Sequence, residues 1–352
     1  MKITVFEQDS AFDTLKSEWN ELLHRSASDL IFCTWEWQST WWRTYQAGDL
    51  CIVTCRDEND RLVGIAPWFI HHLDSERVLR TIGCVDVTDY LDIIADKNHL
   101  EDVQRCFAHF LYEHHDRYDR INLCNIPEQS PTCVSFPQAL RALGFKADLV
   151  LQEVCPVIHL PDNWEAYLES LDKKQRHEIR RKLRRAEAEA KLDHIVVSAE
   201  HDIDKMIDQF IQLMRASHPQ KAKFLEDPKN LAFFKNLLPL MFERNWLRLS
   251  FLYVNDVLTA AYCDFDYNDH TQVYNSGLIP TENAHLSPGI VLLSYNIRDA
   301  IARKKTVFDF LRGNEVYKYR MGAQDTRVFM LRARLHGDLP EPKVDSVLAP
   351  VE

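Results

Sequence analysis

Apolar positions follow two rhythms along this chain. At helical spacing, Phe12, Leu15, Trp19, Leu22 and Leu23 predict a helix over residues 10–25. Residues 99–115, 133–143, 202–216, 228–244 and 288–303 read the same way. Alternating or continuous apolar runs predict strands at Met1–Val5, Tyr90–Ala95, Arg120–Asn125, His194–Ser198 and 306–311. Leu50–Thr54 and Leu62–Ile70 read as a hairpin turning at Asp57-Glu58-Asn59-Asp60, and 247–254, 257–267 and 271–279 as three further strands. Pro161-Asp162-Asn163 signals a helix start, and Trp164 to about Lys191 reads as one long helix.

Strands and helices in mixed order predict an α/β (α+β) fold. The run Asn59-Asp60-Arg61-Leu62-Val63-Gly64 is echoed by Asn255-Asp256-Val257-Leu258-Thr259-Ala260, each at a hairpin turn and each followed by a strand, a helix and another strand. An echo half a chain apart predicts two copies of one domain rather than a solenoid. The division expected is 1–160, 161–337 and a loose tail over 338–352.

Composition narrows the function. The chain has 352 residues and 46% apolar residues, an ordinary globular make-up. No apolar run reaches the ~18 residues of a membrane span. The first residues soon meet Glu7 and Asp9, unlike a signal peptide. A net charge of −11 argues against DNA as a partner. Residues 173–191 depart from it with nine Lys or Arg against three Glu. Arg176, Arg180 and Arg184 form a row on that helix, either a solvated face or a surface for an anionic donor, lipid head group or RNA. The nine cysteines are scattered, odd in number and lack any C-x-x-C, which predicts reduced thiols and a cytoplasmic location. No histidine spacing points to a metal site.

Chemistry concentrates late in the chain. Ser287-Pro288-Gly289 stands between a strand and a helix. Free N–H groups and the helix dipole there suit a pyrophosphate or other anion, and Gly289 lets a ligand approach the backbone. The plain alternative is an N-cap, with Ser287 capping and Pro288 in the first turn. The motif is neither a P-loop nor a three-glycine dinucleotide fingerprint.

Hairpin, strand, glycine turn, amphipathic helix and further strand together resemble the core of the GNAT acyltransferases. The run Asp309-Phe310-Leu311-Arg312-Gly313-Asn314-Glu315-Val316-Tyr317-Lys318 resembles the D-F-L-R-G-x-x-x-Y-K segment of the CelD-like GNAT acetyltransferases of cellulose and exopolysaccharide biosynthesis. Thr34-Trp35-Glu36-Trp37 with Trp41-Trp42 and the Arg-rich helix are similar to that family too. Its relation to FemAB-type transferases implies tandem GNAT-like domains; no glycine precedes the matching helix near 99–115, so the first copy is expected to bind no donor.

The resemblance implies acetyl-CoA or another acyl-CoA as donor, with charged tRNA as the alternative, and an amine or hydroxyl of a sugar or cell-envelope precursor as acceptor. Ser287, Pro288, Gly289, Ile290 and Asn275 are the candidate donor-binding residues. Asp309 is the first candidate for base or acceptor-orienting group; its alternative role is to anchor the Arg312-Gly313 turn. Tyr274 is a candidate acid. Arg312, Tyr317 and Lys318 are candidates for holding substrate, Lys318 alternatively being a surface charge. Trp35 and Trp37 either stack on a sugar or pack in a core, and Asp89 and Tyr90 are weaker acceptor-side candidates. A third expectation, from the shortened glycine signature, is a non-catalytic scaffold protein of exopolysaccharide synthesis.

Overall fold

A computed structural model describes residues 1–73, 75–84, 87–279 and 283–339. Two units divide them: Met1–Val154 with the strand segment from Thr326, and Cys155–Asp325. Both are mixed α/β, sheets flanked by helices.

The first unit runs β1 (Lys2–Phe6), α1 (Ser10–Arg25), α2 (Trp35–Tyr45), β2 (Asp49–Arg56), β3 (Leu62–Leu73), β4 (Glu76–Thr81), β5 (Ile94–Ala95), α3 (Leu100–Glu113), β6 (Arg120–Pro127), α4 (Ser135–Ala142) and the start of β7 (Lys146–His159). The second unit continues with α5 (Trp164–Ser170), α6 (Lys173–Glu189), β8 (Leu192–Val196), α7 (Ile203–Ser217), α8 (Pro219–Phe224), α9 (Pro228–Glu243), β9 (Leu247–Val254), β10 (Val257–Tyr267), β11 (His270–Leu278), α10 (Pro288–Ala302), β12 (Val307–Asp309) and α11 (Val316–Arg320). The last strand, β13 (Gln324–Arg334), pairs with β6.

The echo extends to register. In the first unit the strand order is β1-β2-β3-β4-β6, antiparallel until β6 joins β4 in parallel. In the second it is β8-β9-β10-β11-β12, antiparallel until β12 joins β11 in parallel. The β2–β3 register skips Val63, and the β9–β10 register skips Thr259, its counterpart in the repeated run. Left-handed Asp60 in one turn matches Asn255 and Asp256 in the other. Local turn chemistry, a bulge and strand order therefore agree.

Several expectations are corrected. The helix read from Trp164 to Lys191 breaks at Leu171-Asp172. There Asp172 caps α6 through the Gln175 N–H at 2.9 Å, and extended Leu171 seats against Gly322, where a Cβ would meet Leu171 Cδ2 at 2.5 Å. A helical stripe cannot reveal a two-residue break whose packing partner lies far along the chain. Only Ile94–Ala95 of the expected strand at Tyr90–Ala95 forms. The strands β4, β7 and β13 and the helix α8 lie outside the expected elements. The domain division shifts as well. Leu331 and Ala333 on β13 join the core of the first unit, which places this strand there rather than in a 161–337 domain. Most of the 338–352 tail lies outside the described residues.

The all-thiol expectation is also corrected: Cys84 and Cys124 form a disulfide. Parallel pairing of β4 with β6 brings the segment after β4 against β6, so partners 40 residues apart meet with Cα atoms 6.0 Å apart. The other seven cysteines are free thiols. A compartment inferred from reduced cysteines alone loses its basis. Among the described residues, no helix is long and apolar enough to cross a membrane.

In the second unit, α10 and α6 cover one face of the sheet, with Leu252, Ala260, Val291 and Ile297 in the core between. The other face carries α7 and α9, with Phe234 against Phe265 and Tyr274 by way of a shared aromatic cluster. Gly277 sets how closely β11 approaches α7. A Cβ there would stand 2.4 Å from Met214 N and 2.5 Å from Leu213 C, both rigid backbone atoms. Gly277→Ala is therefore expected to destabilise the chain by ~1–3 kcal/mol in urea unfolding, since overpacking against backbone cannot relax through a rotamer.

Candidate functional site

The cleft begins where two strands stop pairing. β12 meets β11 only at His270–Val307, Thr271–Phe308 and Gln272–Asp309. Past Asp309 the chain turns toward β7, and the Phe310 N–H donates to Pro156 O at 3.0 Å. Val273–Leu278 of β11 continue beyond this pairing. Backbone polar groups on such an edge are ready to pair with an extended ligand.

α10 starts beside this edge. Ser287 stands at the N-cap position and Pro288 in the first turn, as the plain alternative had it, but Ser287 is left-handed (φ 54°) and its side chain makes no cap. The Ile290 and Val291 N–H groups both return to Ser287 O, at 3.0 and 3.1 Å, and Pro288 has no N–H to give. The Gly289 N–H stands outside those two bonds, at the positive end of the helix. A Cβ on Gly289 would meet only Leu278 Cδ2, at an ordinary 3.5 Å, and its φ is not in the left-handed range. The protein's own packing does not demand glycine at this position. What the missing side chain leaves is room in a cavity of about 380 Å³, lined by Tyr262, Ser276, Leu278, Ser287, Gly289 and Tyr317 among others.

Two tyrosines face that space. Tyr262 on β10 reaches the Gly289 carbonyl with its hydroxyl at 3.4 Å. Tyr317 on α11 is packed edge-on to Phe310. Burial, then Tyr262, Glu315 and Asp264, pushes the Tyr317 hydroxyl well above the ordinary tyrosine range, so it keeps its proton at neutral pH. Asp264 lies below them on β10, with its carboxyl also pushed up by burial and by the Asp266 charge. Asn296 of α10 holds it, donating to Asp264 Oδ2 at 3.1 Å and to Ser250 Oγ at 2.9 Å.

The loop after β12 is built around a lysine. Lys318 is 2% exposed. Its ammonium donates to the carbonyls of Arg312 at 2.8 Å, Gly313 at 3.0 Å and Leu311 at 3.4 Å, and lies 2.8 Å from Glu315 Oε2. Asp309 Oδ1 accepts the Leu311 N–H at 2.7 Å, supporting Leu311 at φ 57°. Lys318 is thus neither a surface charge nor a cation offered to substrate, and Asp309 is seen anchoring the turn. Together they hold the loop that leads into α11, which carries Tyr317.

A second cavity of about 490 Å³ shares Ile290 and Tyr317 with the first. Its remaining wall includes Lys174, His177, Glu178, Arg181 and Lys182 of α6, with Arg320 from α11. Four permanent cations face one carboxylate, and Arg181 engages that carboxylate from two nitrogens at 2.7 and 2.9 Å. The row Arg176, Arg180, Arg184 is not in this wall. Arg180 pairs with Glu165 at 2.6 Å, Arg176 reaches Glu169 O and Arg184 reaches Arg180 O. The basic helix faces the site, but through a different set of its residues than the i, i+4 row.

The other predicted residues divide. Ser287, Pro288, Gly289, Ile290 and Tyr317 come together at the first cavity. Asn275, next to Ser276, turns its Oδ1 onto the Ser276 N–H at 2.9 Å. Tyr274 is skipped in the β10–β11 register, between Cys263–Asn275 and Asp264–Val273. That bulge turns its ring to Phe234 and Phe265, with centroids 5.8 and 5.0 Å away, on the α9 side. Arg312 contributes its carbonyl to the Lys318 cage. Trp35 and Trp37 belong to the first unit and are buried there. Their indole N–H groups donate to Phe12 O at 2.7 Å and Thr88 Oγ1 at 3.0 Å, as core tryptophans do. Tyr90 is buried in that unit against Phe32.

Sequence reasoning missed Tyr262, Asp264, Ser276 and the α6 residues that line the second cavity. One signal was available: Asp264 interrupts the apolar run Ala260-Ala261-Tyr262-Cys263-Asp264-Phe265 of a central strand. Among the described residues, no group of three or more His, Cys, Asp or Glu could hold a metal ion.

Residues 173–319 match the family described as an acetyltransferase (GNAT) domain. No curated protein matches the sequence. Among solved structures, the chain is similar to FemX at TM-score 0.64 and 10% identity, covering 94% of this chain and 97% of that one. It is similar to a conserved protein of unknown function from Bacteroides thetaiotaomicron at TM-score 0.58 and 12% identity, covering 95% and 100%. It is also similar to L-PGS from Bacillus licheniformis at TM-score 0.57 and 11% identity, covering 92% and 93%. At such identities the likeness is one of fold.

Replacing the caged lysine tests the loop. Lys318→Met leaves three inward carbonyls without their donor, and a loss of about 3 kcal/mol in urea unfolding is expected. Lys318→Arg should not restore stability, because a planar fork cannot point at three converging carbonyls.

Proposed function

We propose that this chain transfers an acyl group, acetyl in the simplest case, from acyl-CoA to an amine or hydroxyl of a small acceptor. The single observation that carries this reading is Gly289. A glycine that its own fold does not require opens the first turn of α10 onto a cavity beside a strand edge that β12 no longer covers. A pyrophosphate at the α10 N-terminus would receive the Gly289 N–H and the helix dipole. An acyl–pantetheine arm would then lie along Val273–Leu278. Tyr317 takes the role first given to Tyr274, giving its proton to the departing thiolate. Asp309 keeps the turn that positions it.

The resemblance to CelD-like acetyltransferases supports a sugar or exopolysaccharide precursor as the acceptor. Charged tRNA is the second reading. It is favoured by one observation, the four cations lining the larger cavity of an otherwise acidic chain. The non-catalytic scaffold is the outcome in which neither donor binds.

Thermal unfolding with and without CoA and acetyl-CoA separates these. A donor at 100 times its Kd is expected to stabilise the chain by ~2.7 kcal/mol. Gly289→Glu, which places a charged side chain in the cavity, should abolish the shift while leaving the unliganded midpoint nearly unchanged. A shift from charged tRNA alone, lost in a Lys174→Glu/Arg181→Glu double variant, would replace acyl-CoA by the second reading. No shift with either donor would leave the scaffold.

A further inference from the structure

One half-buried amine near the cleft has no part in the reading above. Lys221 sits on α8, and its side chain crosses to β11. Its Nζ donates to Ser276 O at 2.6 Å and stands 3.5 Å from Ser276 Oγ. Ser276 belongs to the stretch of β11 that runs past β12, and it lines the same cavity as Gly289 and Tyr317. The amine is therefore bonded to a residue of the cavity wall, on the stretch of β11 that β12 no longer covers and that would hold an acyl arm. A carbonyl at a cleft edge can be satisfied by water, so a desolvated lysine is a costly way to satisfy it.

The charges around Lys221 fit a group that moves protons. Burial lowers its pKa to about 8, against the upward pull of Glu315. Glu315 lies 2.8 Å from Lys318 and is partly neutralised by it. On α7, which packs against α8, Arg215 is turned to Leu225 O at 3.5 Å. His218 caps α8 through the Gln220 N–H at 3.2 Å. Glu315 also acts on Tyr317, so the amine and the phenol share one electrostatic neighbour.

We propose that Lys221 is the base that removes the proton from the attacking nucleophile, a role that rests on the acyl-transfer reading. The nucleophile's lone pair forms a bond to the acyl carbon, and the bond from that carbon to sulfur breaks. The nucleophile's proton passes to the neutral Lys221 amine. The departing sulfur takes its proton from the Tyr317 hydroxyl. Net proton transfer from Lys221 back to Tyr317, through solvent, resets both groups.

The test uses the full chain and two probes. The first is limiting acetic anhydride followed by peptide mass spectrometry across a pH series. Lys221 is expected to reach half-labelling at about pH 8, with saturating CoA suppressing the label. The second is acetyl-CoA with hydroxylamine as a small nucleophile, read as CoA release. Lys221→Met should lower kcat on the order of 100-fold and flatten the rise in rate with pH, while the CoA-induced thermal shift persists. Lys221→Arg, whose charge does not titrate in this range, should not restore the rate. The proposal is overturned by a Lys221→Met rate equal to wild type. It is equally overturned by Lys221 labelling at the usual lysine pKa of ~10.4. A wild type with no CoA-induced shift counts against the donor reading instead, and the labelling midpoint still decides whether Lys221 is poised as a base.

Discussion

Three residue pairs join β12 to β11, and the candidate site depends on the pairing ending there. A parallel neighbour running the full length of β11 would satisfy its edge and close the cleft. The short β12 hands its next hydrogen bond to β7 instead. The strand edge past Gln272 then faces the start of α10, where the Gly289 N–H lies outside the bonds that Ile290 and Val291 make to Ser287 O. A strand edge that β12 no longer covers and a helix N-terminus converge on one cavity. Their geometry suits a ligand that is extended at one end and anionic at the other.

Keeping that gap open falls to polar groups in unusual places. The Lys318 ammonium draws three successive carbonyls inward and holds the loop after β12 in a conformation with Leu311 left-handed. Such a loop would be costly to maintain without a central cation. On the sheet face below, Asp264, Asn296 and Ser250 tie β10 and β9 to α10. Gly277 lets α7 approach the back of β11 closely enough to leave no slack there. The side chains that shape the cleft are thus largely not those that would touch a ligand.

The repeat explains much of the fold and little of the site. Both units place a parallel fifth strand beside an antiparallel four, and both bulge at the same position of the same hairpin. Yet the helix before the fifth strand differs. In the second unit α10 opens with Pro288-Gly289 over a cavity, whereas in the first α3 opens with Leu100-Glu101-Asp102. An acidic first turn repels the kind of anion that a glycine turn admits.

By itself, the sequence determined the elements whose signal is local: the period of α1, α7, α9 and α10, the two Asn-Asp hairpins, and the glycine turn at 287–290. It also held the D-F-L-R-G run and its implied acyltransfer chemistry. Where the signal is non-local, tertiary structure decided. Cys84 found Cys124 only through the parallel pairing of β4 with β6. Tyr274 left the cleft because a bulge shifted its face, and Tyr262 and Tyr317 took the positions facing the cavity. Lys318 became a structural cation because three carbonyls converged on it, a geometry no spacing encodes. The basic helix lines the second cavity with residues other than the i, i+4 arginine row. Periodicity along a chain fixes which residues share a face; only packing chooses the face that meets the site, and with it which residues can act.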